Sequence, residues 1–302
     1  MTRARQILPE RFYLLTRRCT QRLFLLRPDD ATNQTWRYCL AVAAARFDIE
    51  VIFTSVLSNH HHTVLFDRHG RIVEFTEHLH KLVARAMNAL RDREENFWSS
   101  EPPSVVLLVD ADDVMAKLVY AATNPVKDDL VERVHHWPGI NAFSDFVNDR
   151  VIRVARPRHF FRVDGDMPAI ATLRFVIPAE LGRPAAVRAA LRDAVHERER
   201  ELIAERRREG RRVVGRRRVL RQTCSDRPTS PAPRRRLDPR VAARSLPSRI
   251  AALRALRDFR HAYRAAREDL LAGRRAVFPP GTYWLRRFAN VTVASSAPPP
   301  GT

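Results

Sequence analysis

The sequence of 302 residues contains 54 Lys and Arg against 34 Asp and Glu, giving a formal net charge of +20. This excess predicts a polyanionic partner, with nucleic acid as the first candidate and an anionic membrane surface as the competitor. No long uncharged apolar run of spanning length occurs, and no short apolar segment follows the basic amino terminus. We therefore expect no membrane partner and a cytoplasmic, nucleoid-associated location.

The three cysteines, Cys19, Cys39 and Cys224, are odd in number and have no paired spacing. This pattern fits reduced thiols, and it argues against both a disulfide framework and a structural zinc site.

The first predicted elements alternate between strand and helix. β-prone residues predict a strand over 11–19, with an apolar continuation over 21–26. Asp29 and Asp30 are candidate N-caps for a helix that ends near Asp48. The buried stripe of that helix comprises Trp36, Leu40, Ala43, Ala44 and Phe47.

Two further strands and a second helix follow. Runs rich in Val, Ile, Phe and Thr predict strands over 49–57 and 61–67, joined by a turn at Ser58 and Asn59. A helical period then recurs at Phe75, Leu79, Leu82, Val83, Ala86, Met87 and Leu90.

A fourth strand and a third helix complete the pattern. Residues 105–109 are apolar, and the acidic run at 110–113 is typical of a helix amino terminus. Because Asn124 precedes Pro125, we expect this helix to stop or kink there. The order of elements predicts an α+β fold, a ferredoxin-like βαββαβ sandwich with one additional helix.

The chain beyond residue 150 is mainly helical and strongly basic. It begins with a candidate strand over 172–177 and continues as an arginine-rich helix from Pro184 to Arg221. Such a run is usually a solvated face, but this much unbalanced charge favours contact with backbone phosphates. The candidate DNA-binding residues are Arg206, Arg207, Arg208, Arg211, Arg212, Arg216, Arg217 and Arg218.

These features divide the chain into five parts. We expect a first folded part over 1–150 and a connecting strand and Arg-rich helix over 151–222. A Pro- and Arg-rich linker over 223–245, a small helical module over 246–291 and a frayed tail over 292–302 follow.

The triplet of histidines near residue 60 is the first candidate site. Side chains alternate along a strand, so His60 and His62 project to one face and His61 to the other. Two imidazoles on one face form a candidate metal clamp. His78 and His80 lie on the second helix, and we interpret both as surface residues.

Tyr120 and Asn124 form the second candidate site. They lie four residues apart, which on a helix brings a phenol and an amide oxygen together. Taken alone, a helical tyrosine such as Tyr120 more often packs in the core or lies on the surface, and Asn124 before a proline more often ends a helix. The pair indicates a functional site only in combination with the histidines.

Together these motifs resemble the single-tyrosine HUH transposases of the insertion-sequence-200 type, and within them the REP-associated tyrosine transposases. Asn59-His60-His61-His62 is similar to the family's Asn-His-hydrophobic-His motif, except that His61 replaces the usual aliphatic residue. Tyr120 to Asn124, followed by Pro125 and Val126, is similar to its tyrosine helix. The resemblance covers roughly residues 8–136.

The resemblance implies a fold, a chemistry and a substrate. Residues 1–150 would be an HUH nuclease domain, with His60, His62 and Asn124 holding Mg²⁺ or Mn²⁺ and Tyr120 as the nucleophile. The substrate would be a single-stranded DNA hairpin or palindromic repeat, nicked and rejoined through a 5′-phosphotyrosine intermediate.

Two alternatives and the oligomeric state stay open. A relaxase or rolling-circle initiator shares the chemistry, but relaxases usually place the tyrosine before the histidines, and initiators carry a lysine where Thr123 stands here. A domesticated, non-catalytic DNA-binding protein would retain the scaffold after loss of the site, and His61 keeps this reading open. A homodimer is a further expectation.

Overall fold

The computed structural model describes residues 4–231 and 239–295. Part of the predicted linker and the last residues of the predicted tail lie outside these ranges. The strands are β1 (Arg11–Arg18), β2 (Ile49–Leu57), β3 (His60–Asp67), β4 (Ser104–Leu108), β5 (Val151–Ala155), β6 (Ile170–Arg174), β7 (Val241–Ala242), β8 (Val277–Phe278) and β9 (Thr292–Val293). The α-helices are α1 (Asp30–Phe47), α2 (Ile72–Leu90), α3 (Ala111–Lys127), α4 (Phe143–Val147), α5 (Pro184–Arg208), α6 (Arg216–Arg221), α7 (Leu246–Leu271) and α8 (Trp284–Phe288).

A central five-stranded sheet with helices on both faces gives a mixed α+β fold. Its strand order is β2-β3-β1-β4-β7, and every neighbouring pair among the first four strands is antiparallel. β7 is added in parallel to β4 at the edge. Since β7 comes from the stretch assigned to the linker, that stretch contributes to the main sheet.

The helix over 30–47 forms for the predicted reason. The Asp29 side chain accepts a hydrogen bond from the backbone N–H of Thr32 at 2.7 Å, which satisfies a free donor at the helix start. The helix ends at Asp48, which adopts a left-handed conformation with φ of 52°. The predicted strands at 49–57 and 61–67 are also confirmed.

The predicted apolar continuation of β1 over 21–26 is wrong. The chain leaves the sheet after Arg18 and forms a short 3-10 turn over Thr20–Arg22. Gln21 and Arg22 have φ values of 48° and 62°, so neither has the extended backbone of a strand. The Arg22 carbonyl in this turn accepts a hydrogen bond from the side chain of Asn59, the residue just before β3.

The helices divide between the two faces of the sheet. α1 and α2 pack against each other on one face, while α3 packs on β2 and β3 from the other. Residues of β3 therefore alternate between an α1–α2 layer and an α3 layer, which sets the surroundings of each histidine.

The basic half of the chain packs around this core. α5 lies against α3, and the hairpin of β5 and β6 packs on α1. The predicted strand at 172–177 is found at Ile170–Arg174, while its partner β5 was not predicted. No helix in the described residues is both long enough and apolar enough to cross a bilayer.

Candidate metal and nucleophile site

Strand pairing places His60 and His62 on one face beside β1. His62 lies opposite Thr16 and His60 opposite Arg18 in the antiparallel register, and directly opposed residues share a face. The two imidazole ring centres are 4.9 Å apart, and the rings are inclined at 82°. The predicted histidine pair is therefore brought together.

Each of these rings is held through its Nδ1 atom. His60 Nδ1 lies 2.7 Å from Asn59 Oδ1, and His62 Nδ1 lies 2.8 Å from the Thr16 hydroxyl. A carboxamide oxygen only accepts, so His60 donates from Nδ1 and keeps a lone pair on Nε2. Side chains that fix the second nitrogen in this way are typical of histidines that bind metals.

The helix α3 brings Tyr120 and Asn124 to the same place. Asn124 is buried, and its Nδ2 atom lies 2.9 Å from His62 Nε2. The Tyr120 ring centre is 5.1 Å from that of His62, and the Asn124 side chain lies beside the phenol, where it lowers the pKa of Tyr120. The amide of Asn124 thus contacts both the metal-side nitrogen and the phenol.

The expected stop at Asn124 does not occur. α3 begins with a capping box between Asp110 and Asp113 and continues through Pro125 to Lys127. The Asn124 carbonyl still accepts a backbone hydrogen bond from Asp128 at 3.0 Å. Because the helix is continuous, the spacing of four residues places Tyr120 and Asn124 on one face.

Burial sets the protonation states of the site. It lowers the pKa of His60 to about 4, with Arg18 adding to the effect, and holds the pKa of His62 well below its usual value. Both imidazoles are therefore neutral near pH 7, which is the form that binds a metal. Burial and then Asp128 raise the pKa of the half-buried Tyr120, whereas its hydrogen bond to Asn124 lowers it.

Two lysines lie beside the phenol of Tyr120. The Nζ atoms of Lys127 and Lys117 are 5.3 Å and 5.8 Å from the ring centre. They supply positive charge where a phenolate or a phosphate group would be negative. The sequence analysis did not select these residues, although Lys117 precedes Tyr120 by one helical turn and Lys127 follows it by two.

The donor set fits a divalent ion with mixed nitrogen and oxygen ligands. The described residues contain no cluster of three His, Cys, Asp or Glu side chains that could hold a metal. A metal at this position would use the Nε2 atoms of His60 and His62, and it needs the Asn124 carboxamide oxygen as the third protein ligand. Rotating the Asn124 amide by half a turn exchanges the positions of its Nδ2 and Oδ1 atoms and directs the oxygen toward the histidines. Amide oxygens suit Mg²⁺ and Mn²⁺.

His61 faces away from this site into the α1–α2 layer. Its Nε2 atom lies 2.9 Å from Nε2 of His80, and its Nδ1 lies 3.1 Å from the Thr63 hydroxyl. Trp36 and Trp98 enclose it, with ring centres at 4.5 Å and 5.9 Å. The departure from the aliphatic residue of the motif is thus accommodated in the core.

The interpretation of His80 as a surface residue is therefore wrong. His80 is 1% exposed and pairs with His61, because its position on α2 faces the sheet. His78 is half-buried, and its ring lies at 5.5 Å from that of Phe47.

The candidate DNA-binding arginines differ in their surroundings. Arg206 is 7% exposed and lies 3.6 Å from Asp129, which also pairs with Arg211. These two side chains anchor the end of α5 near the end of α3. The exposed members of the set that form no ion pair within the described ranges are Arg207, Arg208, Arg212, Arg216, Arg217 and Arg218.

Comparison with known proteins gives structural likeness without a family assignment. No protein-family model matches the sequence, and no curated protein matches it. A solved structure of a REP-associated tyrosine transposase bound to a REP hairpin is 18% identical, with a TM-score of 0.42, covering 56% of this chain and 93% of that chain. A crystal structure of a Deinococcus radiodurans R1 protein described as a candidate transposase is 18% identical, with a TM-score of 0.27, covering 35% and 85%.

Proposed function

We propose that this protein is a metal-dependent tyrosine transposase of the single-tyrosine HUH type, which nicks and rejoins single-stranded hairpin DNA. The observation that carries the proposal is the convergence of Tyr120, His62 and Asn124 beside His60. The four antiparallel strands in the order β2-β3-β1-β4 are what a ferredoxin-like βαββαβ unit requires, which supports the same reading.

The nucleophile in this proposal is the hydroxyl oxygen of Tyr120. That oxygen forms a bond to phosphorus while the bond from phosphorus to the 3′ oxygen breaks, leaving a 5′-phosphotyrosine and a free 3′-hydroxyl. The phenol loses its proton and the departing 3′ oxygen gains one. Reversal by a second 3′-hydroxyl rejoins DNA without an added energy source.

The remaining side chains hold and polarise the reacting groups. His60, His62 and Asn124 would hold a divalent ion, which when bound neutralises charge on the phosphate oxygens. The Asn124 amide lies beside the phenol and lowers the pKa of Tyr120, which favours the phenolate. Lys117 and Lys127 stabilise the phenolate as the proton leaves.

The DNA would extend from this site onto the basic part of the chain. Residues 214 and 215 donate backbone hydrogen bonds to Asp129 and Leu130, at 2.8 Å and 3.0 Å, just past the end of α3. At the other end, the Ser58 hydroxyl donates to Gln222 at 3.2 Å, in the turn before His60. These contacts hold both ends of α6 near the candidate site, and its exposed arginines would bind backbone phosphates.

A covalent-adduct assay tests the proposal. Purified protein is incubated with labelled hairpin-bearing single-stranded DNA and Mn²⁺, and denaturing gels are inspected for a shifted band. We expect an adduct with the wild type and with Tyr263→Phe, a control in another part of the chain, and none with Tyr120→Phe. An adduct in Tyr120→Phe would refute the assigned nucleophile. DNA binding without an adduct on any hairpin would favour a non-catalytic binding protein.

A further inference from the structure

A cavity of about 480 Å³ lies where β1 ends. Its volume is within the usual range for small-ligand pockets. It is lined by side chains from three separate stretches, among them Arg18, Gln21, Arg22, Ser99, Glu101 and Arg227. None of these residues belongs to the catalytic set described above.

The cavity adjoins the candidate metal site through Arg18. Arg18 is the cross-strand partner of His60, so both side chains leave the sheet on the same face. The charge of Arg18 contributes to the lowered pKa of His60. A ligand in the cavity would therefore contact Arg18, the cross-strand neighbour of His60.

The side chain of Asn59 contacts both the candidate metal site and the wall of the cavity. Asn59 accepts from His60 through Oδ1 and donates through Nδ2 to the carbonyl of Arg22 at 3.2 Å. Arg22 and its neighbour Gln21 have left-handed backbone conformations, which turn the chain away from β1 and open the space.

The far wall comes from the stretch that follows α6. The carbonyl of Asp226 accepts from the backbone N–H of Phe24 at 2.8 Å. Arg22 donates to the Ser230 carbonyl at 2.6 Å and to its hydroxyl at 2.9 Å. These contacts carry Arg227, an exposed residue, to the rim of the cavity.

The lining favours a phosphate-bearing ligand. The lining includes three arginines, Arg18, Arg22 and Arg227, and a single carboxylate, Glu101, which lies 3.7 Å from Arg18. Arginine is the side chain best suited to bidentate phosphate contact. The hydroxyls of Thr20, Ser99 and Ser100 add hydrogen-bonding groups for a sugar or a base edge.

We propose that this cavity is a subsite for one nucleotide of the single DNA strand, flanking the bond that Tyr120 cleaves. The proposal rests on the function proposed above. Arg18 and Arg227 bind the phosphate of that nucleotide, while Arg22 mainly fixes the wall. The subsite positions the strand, so its loss weakens DNA binding more than it slows the chemical step.

Combining arginine substitutions with shortened DNA tests the subsite, because a residue and the nucleotide that it contacts should show non-additive effects on affinity. Hairpin oligonucleotides are trimmed one nucleotide at a time from each single-stranded end. Their affinities for wild type, Arg227→Gln and Arg18→Gln are measured by fluorescence anisotropy with Ca²⁺ present. Arg212→Gln is the control for loss of charge, and thermal melting checks that each variant is folded.

We expect removal of one particular nucleotide to weaken wild-type binding about tenfold, a typical size for a charge-assisted contact. Arg227→Gln should bind the full-length hairpin about as weakly as the wild type binds the trimmed one. Removing that nucleotide should then lower the affinity of Arg227→Gln only slightly. Equal losses in wild type and Arg227→Gln at every trimming step would overturn the subsite.

Adduct formation separates this outcome from failure of the proposed function. A wild type that forms the adduct while showing no coupling between Arg227 and any nucleotide retains the transposase function and lacks the subsite. A wild type that shows the coupling without an adduct retains the nucleotide subsite and loses the assigned chemistry.

Discussion

The two faces of β3 use the same residue type for opposite purposes. On the α1–α2 side, both ring nitrogens of His61 contact fixed groups, and two tryptophans enclose the ring. On the α3 side, His60 is held through Nδ1 alone, and Nε2 has no hydrogen-bond partner in the described part of the chain. His62 contacts Thr16 through Nδ1 and the Asn124 amide through Nε2. Strand alternation thus places one histidine in the core under α1 and α2 and two beside Tyr120.

This contrast explains the surroundings of His61, the middle residue of the histidine triplet. A polar ring in place of an aliphatic residue would be costly in the core without hydrogen bonds. His80 and Thr63 provide them, which explains how the core accommodates a polar ring at this position. The comparison predicts that substitutions on the two faces separate activity from stability.

The largest expected effect is that of His62→Ala. Because this change removes a ring that faces both Asn124 and Tyr120, we expect loss of Mn²⁺ binding and of detectable adduct. Isothermal titration with Mn²⁺ and the adduct assay measure both effects, and thermal melting shows whether this truncation of a buried ring leaves the protein folded. Retained Mn²⁺ affinity would contradict the assignment of His62 as a ligand.

A smaller effect is expected for Thr16, whose hydroxyl contacts Nδ1 of His62. Thr16→Val removes the hydroxyl at His62 Nδ1, and loss of such an orienting contact typically lowers metal affinity or activity about 10- to 100-fold. Thr16→Ser, which keeps the hydroxyl, should restore most of the loss. Equal activity of the Ser and Val variants would show that the contact has no orienting role.

On the opposite face we expect effects on stability alone. His61→Leu leaves His80 without its partner and should destabilise the fold by about 1–3 kcal/mol, measured by urea unfolding. The double variant His61→Leu, His80→Leu should lose less than the sum of the single changes. Adduct formation per folded molecule should remain near that of the wild type. Additive losses, or loss of the adduct, would contradict the separation of the two faces.

The smallest effect is expected for single arginines of α6. Arg217→Gln should weaken binding of all DNA sequences alike, and it should reduce the slope of log affinity against log salt by about 0.7 for a single strand. Arg206→Gln is the contrasting variant, since Arg206 is buried near Asp129 and should affect stability instead. An unchanged salt slope in Arg217→Gln would exclude a phosphate contact by that residue.

The sequence was sufficient for the elements whose signals are local. The cap at Asp29, the turn at Ser58 and Asn59, and the alternation of the histidines follow from neighbouring residues. They correctly predicted α1, the β2–β3 hairpin and the faces of β3. The spacing of Tyr120 and Asn124 was correct even though Pro125 suggested a break.

What the sequence missed depends on contacts between distant segments. Thr16 orients His62 only because β1 and β3 pair in a particular register, and no local pattern specifies that register. The burial of His80 depends on the rotation of α2 against the sheet. β7 was missed because its two residues gain strand structure only from pairing with β4.

Mass spectrometry of the covalent product tests the central claim most directly. The wild-type protein, trapped on a hairpin oligonucleotide with Mn²⁺ and digested with nuclease and protease, should yield a peptide that carries a 5′-linked nucleotide on Tyr120. His62→Ala should yield the unmodified peptide, whereas His61→Leu should yield the modified one. A nucleotide attached to any other residue, or the modified Tyr120 peptide from His62→Ala, would contradict the account.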